Sequence, residues 1–202
     1  MTRRIAITQR VDVLADRGER RDALDQRWTS FLAACGGLVI PVPNRAPDAA
    51  AWAEALGIQS VLLSGGEDLA DLGGPSPERD ATEIALLAWA ERRRVPVLAV
   101  CRGLQLLAYR AGARLRRLEG HIAVHHNIVA ATGPDHVNSF HSWGFDEVPR
   151  AFRSLATAED GSIEAMRHES LPITGIMWHP ERCHPFREAD VDAARRALEG
   201  RR

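Results

Sequence analysis

The residue with the most evident chemistry is Cys101. It follows a short apolar, β-branched run (residues 95–100) and precedes a helix-period pattern over residues 104–109. That order predicts a strand, a sharp turn and a helix, with a thiol at the turn. Backbone N–H groups and the helix dipole at such a position favour negative charge on the sulfur. Gly103 removes a Cβ where strand and helix must approach. The arrangement is that of a nucleophile elbow with cysteine in place of serine. By itself it equally describes a buried structural cysteine in an ordinary crossover, so the partners of the sulfur decide.

A thiol acting at neutral pH needs a base, and the base needs an orienting group. His179 and Glu181 offer both, directly after an apolar run over residues 174–178. Glu181 would fix the imidazole tautomer and stabilise the imidazolium. An acyl-transfer site also needs donors for a developing oxyanion. The backbone N–H of Arg102 is one candidate. The turn at Gly65 and Gly66, after the apolar strand at residues 60–63, is the other. The spacing and lysine of a Walker phosphate loop are absent.

The elements that must hold these groups read as an α/β chain. Strands are expected at residues 5–8, 38–42, 60–63, 95–100 and 174–178, and helices at 22–34, 49–56, 78–94, 104–109 and 189–198. In the third of these helices Ile84, Leu87 and Ala88 are assigned to the core side. Unalternated apolar strands separated by helices predict a parallel sheet covered on both faces. Ligands of such sheets sit beyond the carboxyl ends of the strands, so Arg10, residues 64–68 and Cys101 are expected to share one edge. Residues 12–21, rich in charge, read as a surface loop, and with residues 69–77 they are the lid candidates. Residues 115–132 and 136–145 read as short strands and loops carrying five of the eight histidines, and 154–157 and 162–167 as strands. Trp28, Trp52, Trp89 and Trp178 are read as packing, Cys35 as a small buried residue, and Trp143 as a candidate pocket wall.

At 202 residues the chain suits one domain with a full core, and residues 1–202 are read as a single unit. A net charge of −1 gives no electrostatic case for nucleic acid. All 26 basic residues are arginine. No run approaches the roughly 18 apolar residues of a membrane span, and the start of the chain lacks a signal-peptide core. Three cysteines fit a reducing cytoplasm rather than a disulfide framework. The expected partner is a small molecule, with no nucleic acid or membrane and no cofactor.

Taken together, Ser64-Gly-Gly-Glu-Asp68, Val100-Cys-Arg-Gly-Leu-Gln105 and Gly175-Ile-Met-Trp-His-Pro-Glu181 resemble the class I glutamine amidotransferase superfamily over nearly the whole chain. The resemblance implies a flavodoxin-like, three-layer αβα fold with a mostly parallel central sheet. It also implies hydrolysis of a γ-glutamyl amide through a thioester on Cys101, with His179 and Glu181 completing the triad. Gln105 and the backbone around Asn138, Ser139 and Phe140 would hold the glutamyl head group. Val137-Asn-Ser-Phe-His141 and the Cys-Arg-Gly form of the elbow look like the γ-glutamyl-γ-aminobutyrate hydrolase group. Residues 7–10, 21–28, 120–126, 138–141 and 163–168 are similar to bacterial γ-glutamyl-CDP-amidate hydrolases. Those enzymes release glutamate and cytidine diphosphoramidate on the way to capsular phosphoramidate.

Such a leaving group carries phosphate, which arginine forks suit. Arg10 is expected at the sheet edge beside the site. Arg21, Arg102, His121 and His125 are further candidates, with His141 at the end of the Asn138 motif. The spacing of His121 and His125 would suit a metal on a helix. Their apolar neighbours Ile122, Val124 and Ile128 point instead to strand or loop, so no metal is expected. The alternatives are another γ-glutamyl amine as substrate, a glutaminase subunit feeding a synthase, and a non-catalytic binding module on the same fold.

Overall fold

The computed structural model describes residues 2–130 and 133–201. In chain order the elements are β1 (Arg3–Thr8), β2 (Arg10–Leu14), β3 (Glu19–Ala23), α1 (Arg27–Ala34), β4 (Gly37–Val42), α2 (Ala49–Ala55), β5 (Ser60–Leu63), α3 (Pro77–Arg93), β6 (Val97–Val100) and α4 (Arg102–Arg110). They continue with β7 (Arg116–Arg117), β8 (Ile122–Ala130), β9 (Gly133–Phe140), β10 (Trp143–Gly144), β11 (Phe152–Ala158), β12 (Ile163–His168), β13 (Ile173–Ile176) and α5 (Glu188–Leu198). Thr132, the end of one expected segment, lies outside the described residues.

The main sheet runs β4-β1-β5-β6-β13-β12-β11-β8-β9. Its first five strands pair in parallel; the last four are antiparallel. Counting only the parallel strands in chain order gives 2-1-3-4-5, the flavodoxin-like order, whose switch point lies between the first and third strands. Here that is the gap beyond Thr8 and Leu63, bounded by Arg10 and by Gly65 and Gly66. Strands β5 and β6 are buried along their whole length, as covered parallel strands must be. Val61, Leu63, Val97 and Ala99 pack with α2, α3 and α4. Leu62, Leu98 and Val100 pack with α1 and α5 on the other face. That is the three-layer α/β architecture the sequence implies.

Three local expectations are corrected. Residues 12–21 form most of an antiparallel hairpin, β2 paired with β3 through a turn at Gly18 (φ +62°). The ribbon is charged and mostly solvated, so it lacks the apolar alternation that marks a half-buried strand. The helix expected from residue 22 begins at Arg27. Asp22 stays in β3, where its carboxylate accepts from the Asn44 backbone N–H and side-chain amide. In α3 the inward residues are Arg79, Glu83, Leu86, Leu87 and Ala90, whereas Ile84 is exposed. Two buried charges on the inner stripe hid its true register.

Candidate active site

Cys101 sits at φ +52°, ψ −107°, a conformation that non-glycine residues rarely hold and that surrounding structure must enforce. Its N–H donates to the Ile176 carbonyl at 2.8 Å, and its carbonyl accepts from the Gln105 N–H at 3.0 Å. The elbow is therefore pinned between β13 and the first turn of α4. A Cβ on Gly103 would collide with the Leu63 backbone, so only glycine lets α4 lie this close to β5.

His179 follows β13. The Asn138 side chain clamps its backbone with two bonds of 2.8 Å, Nδ2 donating to the His179 carbonyl and Oδ1 accepting from its N–H. The 3₁₀ turn Pro180–Arg182 then carries Glu181 back, with Oε1 2.7 Å from His179 Nδ1. That leaves Nε2 for the sulfur. A Cβ on Gly65 would stand 2.5 Å from His179 Cε1 and 3.6 Å from the Cys101 Cβ, so the glycine turn, the imidazole and the cysteine converge on one point. Burial works against charge on His179, but the Cys101 sulfur, acting through space and through a hydrogen bond, outweighs it with help from Glu181. The imidazole is pushed up to about 9.

A buried ion network lies under the glycine turn. Arg79 is fully buried and pairs with Glu67 at 2.7 Å and Glu83 at 3.0 Å. It also donates to the carbonyls of Ser64 at 2.8 Å and Gly65 at 3.0 Å. In a trans peptide C=O and N–H point oppositely, so these bonds turn the N–H groups of Gly65 and Gly66 away from Arg79. Arg102 pairs with Glu83 and Asp80. Burial raises the Glu83 carboxyl, yet Arg102 and then Arg79 pull it below its usual range. Sequence reading missed Arg79 and Glu83. Their i,i+4 spacing on the stripe that continues through Leu86, Leu87 and Ala90 was the available signal.

The remaining candidates divide. Arg10, Asp12, Trp28, Gly65, Gly66 and His179 line one cleft at the switch point, with Arg10 half exposed and paired to Asp12 at 2.8 Å. The Phe140 ring meets His179 edge-on, centroids 5.8 Å apart, beneath the Arg182 guanidinium. Gln105 is buried and donates to the Trp143 carbonyl at 3.0 Å. The Ser139 hydroxyl is committed to the His121 carbonyl, as the Asn138 amide is to His179. Four leaving-group expectations are corrected. The Arg102 guanidinium is buried behind the elbow, Arg21 pairs with Glu19 on the exposed hairpin, and His125 stacks on His136 at the surface. His121 is buried against Glu164, away from the cleft lining, and His141 lies with it.

The model of the class I glutamine amidotransferase family matches residues 29–190. The chain belongs to that family. Among curated relatives of this amidotransferase chain, a γ-glutamyl-CDP-amidate hydrolase of Campylobacter jejuni is 33% identical over 127 residues, 62% of this chain and 63% of that protein. The match thus spans less than two thirds of that relative. One subunit of the glutamine-hydrolysing GMP synthase of Thermococcus kodakarensis is 30% identical, covering 74% of this chain and 79% of its own. A γ-glutamyl-γ-aminobutyrate hydrolase of Escherichia coli O157:H7 is 27% identical, covering 82% and 81%. A glutamine amidotransferase of Thermotoga maritima, 17% identical, superposes with a TM-score of 0.68 over 98% of this chain and 85% of its own. That likeness confirms the fold.

Proposed function

We propose that this chain hydrolyses a γ-glutamyl amide through a thioester on Cys101, with His179 as base and acid and Glu181 as its orienting carboxylate. The contact between His179 and Glu181, made where the imidazole faces the strained Cys101, carries the reading. The thiolate attacks the γ-carbonyl carbon. The N–H groups of Gly66 and Arg102, with Gly65 beside them, receive the oxyanion. Protonated His179 gives its proton to the leaving nitrogen as the C–N bond breaks. Water then attacks the thioester, neutral His179 takes its proton, and the thiolate departs as glutamate is released. Gln105, Phe140 and the backbone at Asn138 and Ser139 are assigned to the glutamyl end.

γ-Glutamyl-CDP-amidate, giving cytidine diphosphoramidate in the cytoplasm, is the favoured substrate. The Campylobacter relative and Arg10, a half-exposed cation lining the cleft, support it. The test is glutamate release from γ-glutamyl-CDP-amidate, γ-glutamyl-γ-aminobutyrate and glutamine, compared by kcat/KM. The first is expected to lead by at least about tenfold, and Arg10→Ala to raise its KM several-fold while leaving that of γ-glutamyl-γ-aminobutyrate unchanged. A lead for γ-glutamyl-γ-aminobutyrate would move the assignment to that hydrolase group. The similarity to the GMP synthase of Thermococcus supports a second reading, a glutaminase that feeds a synthase. Glutamine turnover that appears only with a co-purified partner would establish it instead.

A further inference from the structure

Outside the cleft, the structure gathers His121, His126 and His141 around the carboxylate of Glu164. All four come from the antiparallel half of the sheet and its loops. Glu164 is fully buried and His121 and His141 nearly so. Glu164 Oε1 lies 3.4 Å from His141 Nε2 and 3.8 Å from His121 Nδ1, and Oε2 lies 3.5 Å from His126 Nε2. All five atoms are buried and none makes a well-aligned hydrogen bond, although, against the effect of burial, His126 and His141 stand close enough to Glu164 to pull its carboxyl below the usual range. Buried polar atoms are nearly always paired, so five facing one another without a partner call for something between them.

The outer hydrogen bonds say what that is. His141 Nδ1 lies 3.1 Å from the Trp143 carbonyl, which can only accept, so Nδ1 carries a proton and, in the neutral ring, Nε2 turns a lone pair inward. His121 Nε2 donates to the Asp160 carboxylate at 3.2 Å, so its Nδ1 does the same. With both rings neutral, two imidazole lone pairs and a carboxylate face each other, an arrangement that a shared cation would hold together. Ligand atoms about 2.0–2.2 Å from a tetrahedral zinc ion are about 3.3–3.6 Å apart; the three ligand atoms here lie within 4.8 Å of one another, so the group would draw in about an ion. The bond from His121 to Asp160 is the outer contact that typically orients a metal-bound histidine.

We propose that His121, His141 and Glu164 bind a divalent cation of the zinc class, while His126 holds the second oxygen of the Glu164 carboxylate. The site is structural. It ties both ends of the β8–β9 hairpin to β12, next to Asn138 and Ser139, which hold the backbones of His179 and His121. A bulge between Ile122 and Val124 builds it. An extra residue restores to one face two side chains five positions apart, which brings the His121 and His126 rings to 4.8 Å. The sequence spacing offered His121 with His125; the bulge makes His126 the partner.

The experiment measures zinc on purified, untagged protein stripped with chelator, by titration against a chromophoric competitor and by elemental analysis. It is run in a Cys101→Ser background, so that the thiol beside His179 cannot supply the site. One equivalent is expected, held with submicromolar affinity. His141→Gln and Glu164→Gln should lose it at least 100-fold, and Asp160→Asn should weaken it about 10–100-fold. His125→Ala, on the exposed face of the same hairpin, should not change it. Absence of a tight equivalent in the Cys101→Ser protein would overturn the proposal even if the ligand variants fail to fold. Retention by folded Glu164→Gln and His141→Gln, checked by circular dichroism, would overturn it as well.

Discussion

The molecule holds two clusters of imidazole and carboxylate, and they differ in one respect. In the parallel half, His179 and Glu181 meet at 2.7 Å and the other ring nitrogen faces a sulfur. In the antiparallel half, three imidazoles stand 3.4–3.8 Å from Glu164, longer than the contact of the first cluster. The first arrangement is complete with protons alone, as a relay must be if it is to pass one to a substrate. The second is the site proposed above for a cation. Both use imidazole and carboxylate, so separation, read against hydrogen-bond and coordination distances, is what sets them apart.

The largest test replaces the nucleophile. Cys101→Ala should lower glutamate release by about 10⁴-fold or more, with thermal stability and the circular dichroism spectrum retained. Turnover within tenfold of wild type would end the catalytic account. Arg79→Met comes next. It leaves Glu67 without its buried guanidinium and Glu83 with Arg102 alone, and breaking such a pair from one side costs about 3–5 kcal/mol. Denaturant titration reads the loss, and kcat should fall too, because the Ser64 and Gly65 carbonyls lose the donor that aims their neighbours' N–H groups.

The smallest effect is in pH. The folded value of His179 lies above its ordinary 6.5, at about 9. A raised value means that the charged ring stabilises the fold fully below pH 6.5 and that this contribution is lost as pH climbs through about 9. NMR titration of the imidazole should show the high value in wild type and a clear fall in Cys101→Ala, where the sulfur that sustains the charge is gone. An unchanged titration in that variant would locate the cause elsewhere.

Much was legible before any coordinates. Cys101, His179 and Glu181 each follow an apolar strand, and in a covered parallel sheet strand ends share one edge, so local pattern was enough to collect them. The family followed from the same three stretches. The charged hairpin of β2 and β3 was not legible, because solvated strands carry no hydrophobic period. The inward register of α3 was hidden by Arg79 and Glu83, buried charges that read as surface until their partners are seen. The backbone at Asn138 was read as a substrate contact; that its side-chain amide holds His179 was not legible.

The sequence alone thus determined the elbow, the two-glycine turn beside it, and the succession of strands and helices, since these depend on periodicity and backbone freedom within a few residues. Only tertiary structure decided which charges are buried and which histidines meet. Those pairings join residues as distant as His121 and Glu164, and they depend on a one-residue bulge that leaves no trace in composition yet reverses the face every later side chain presents.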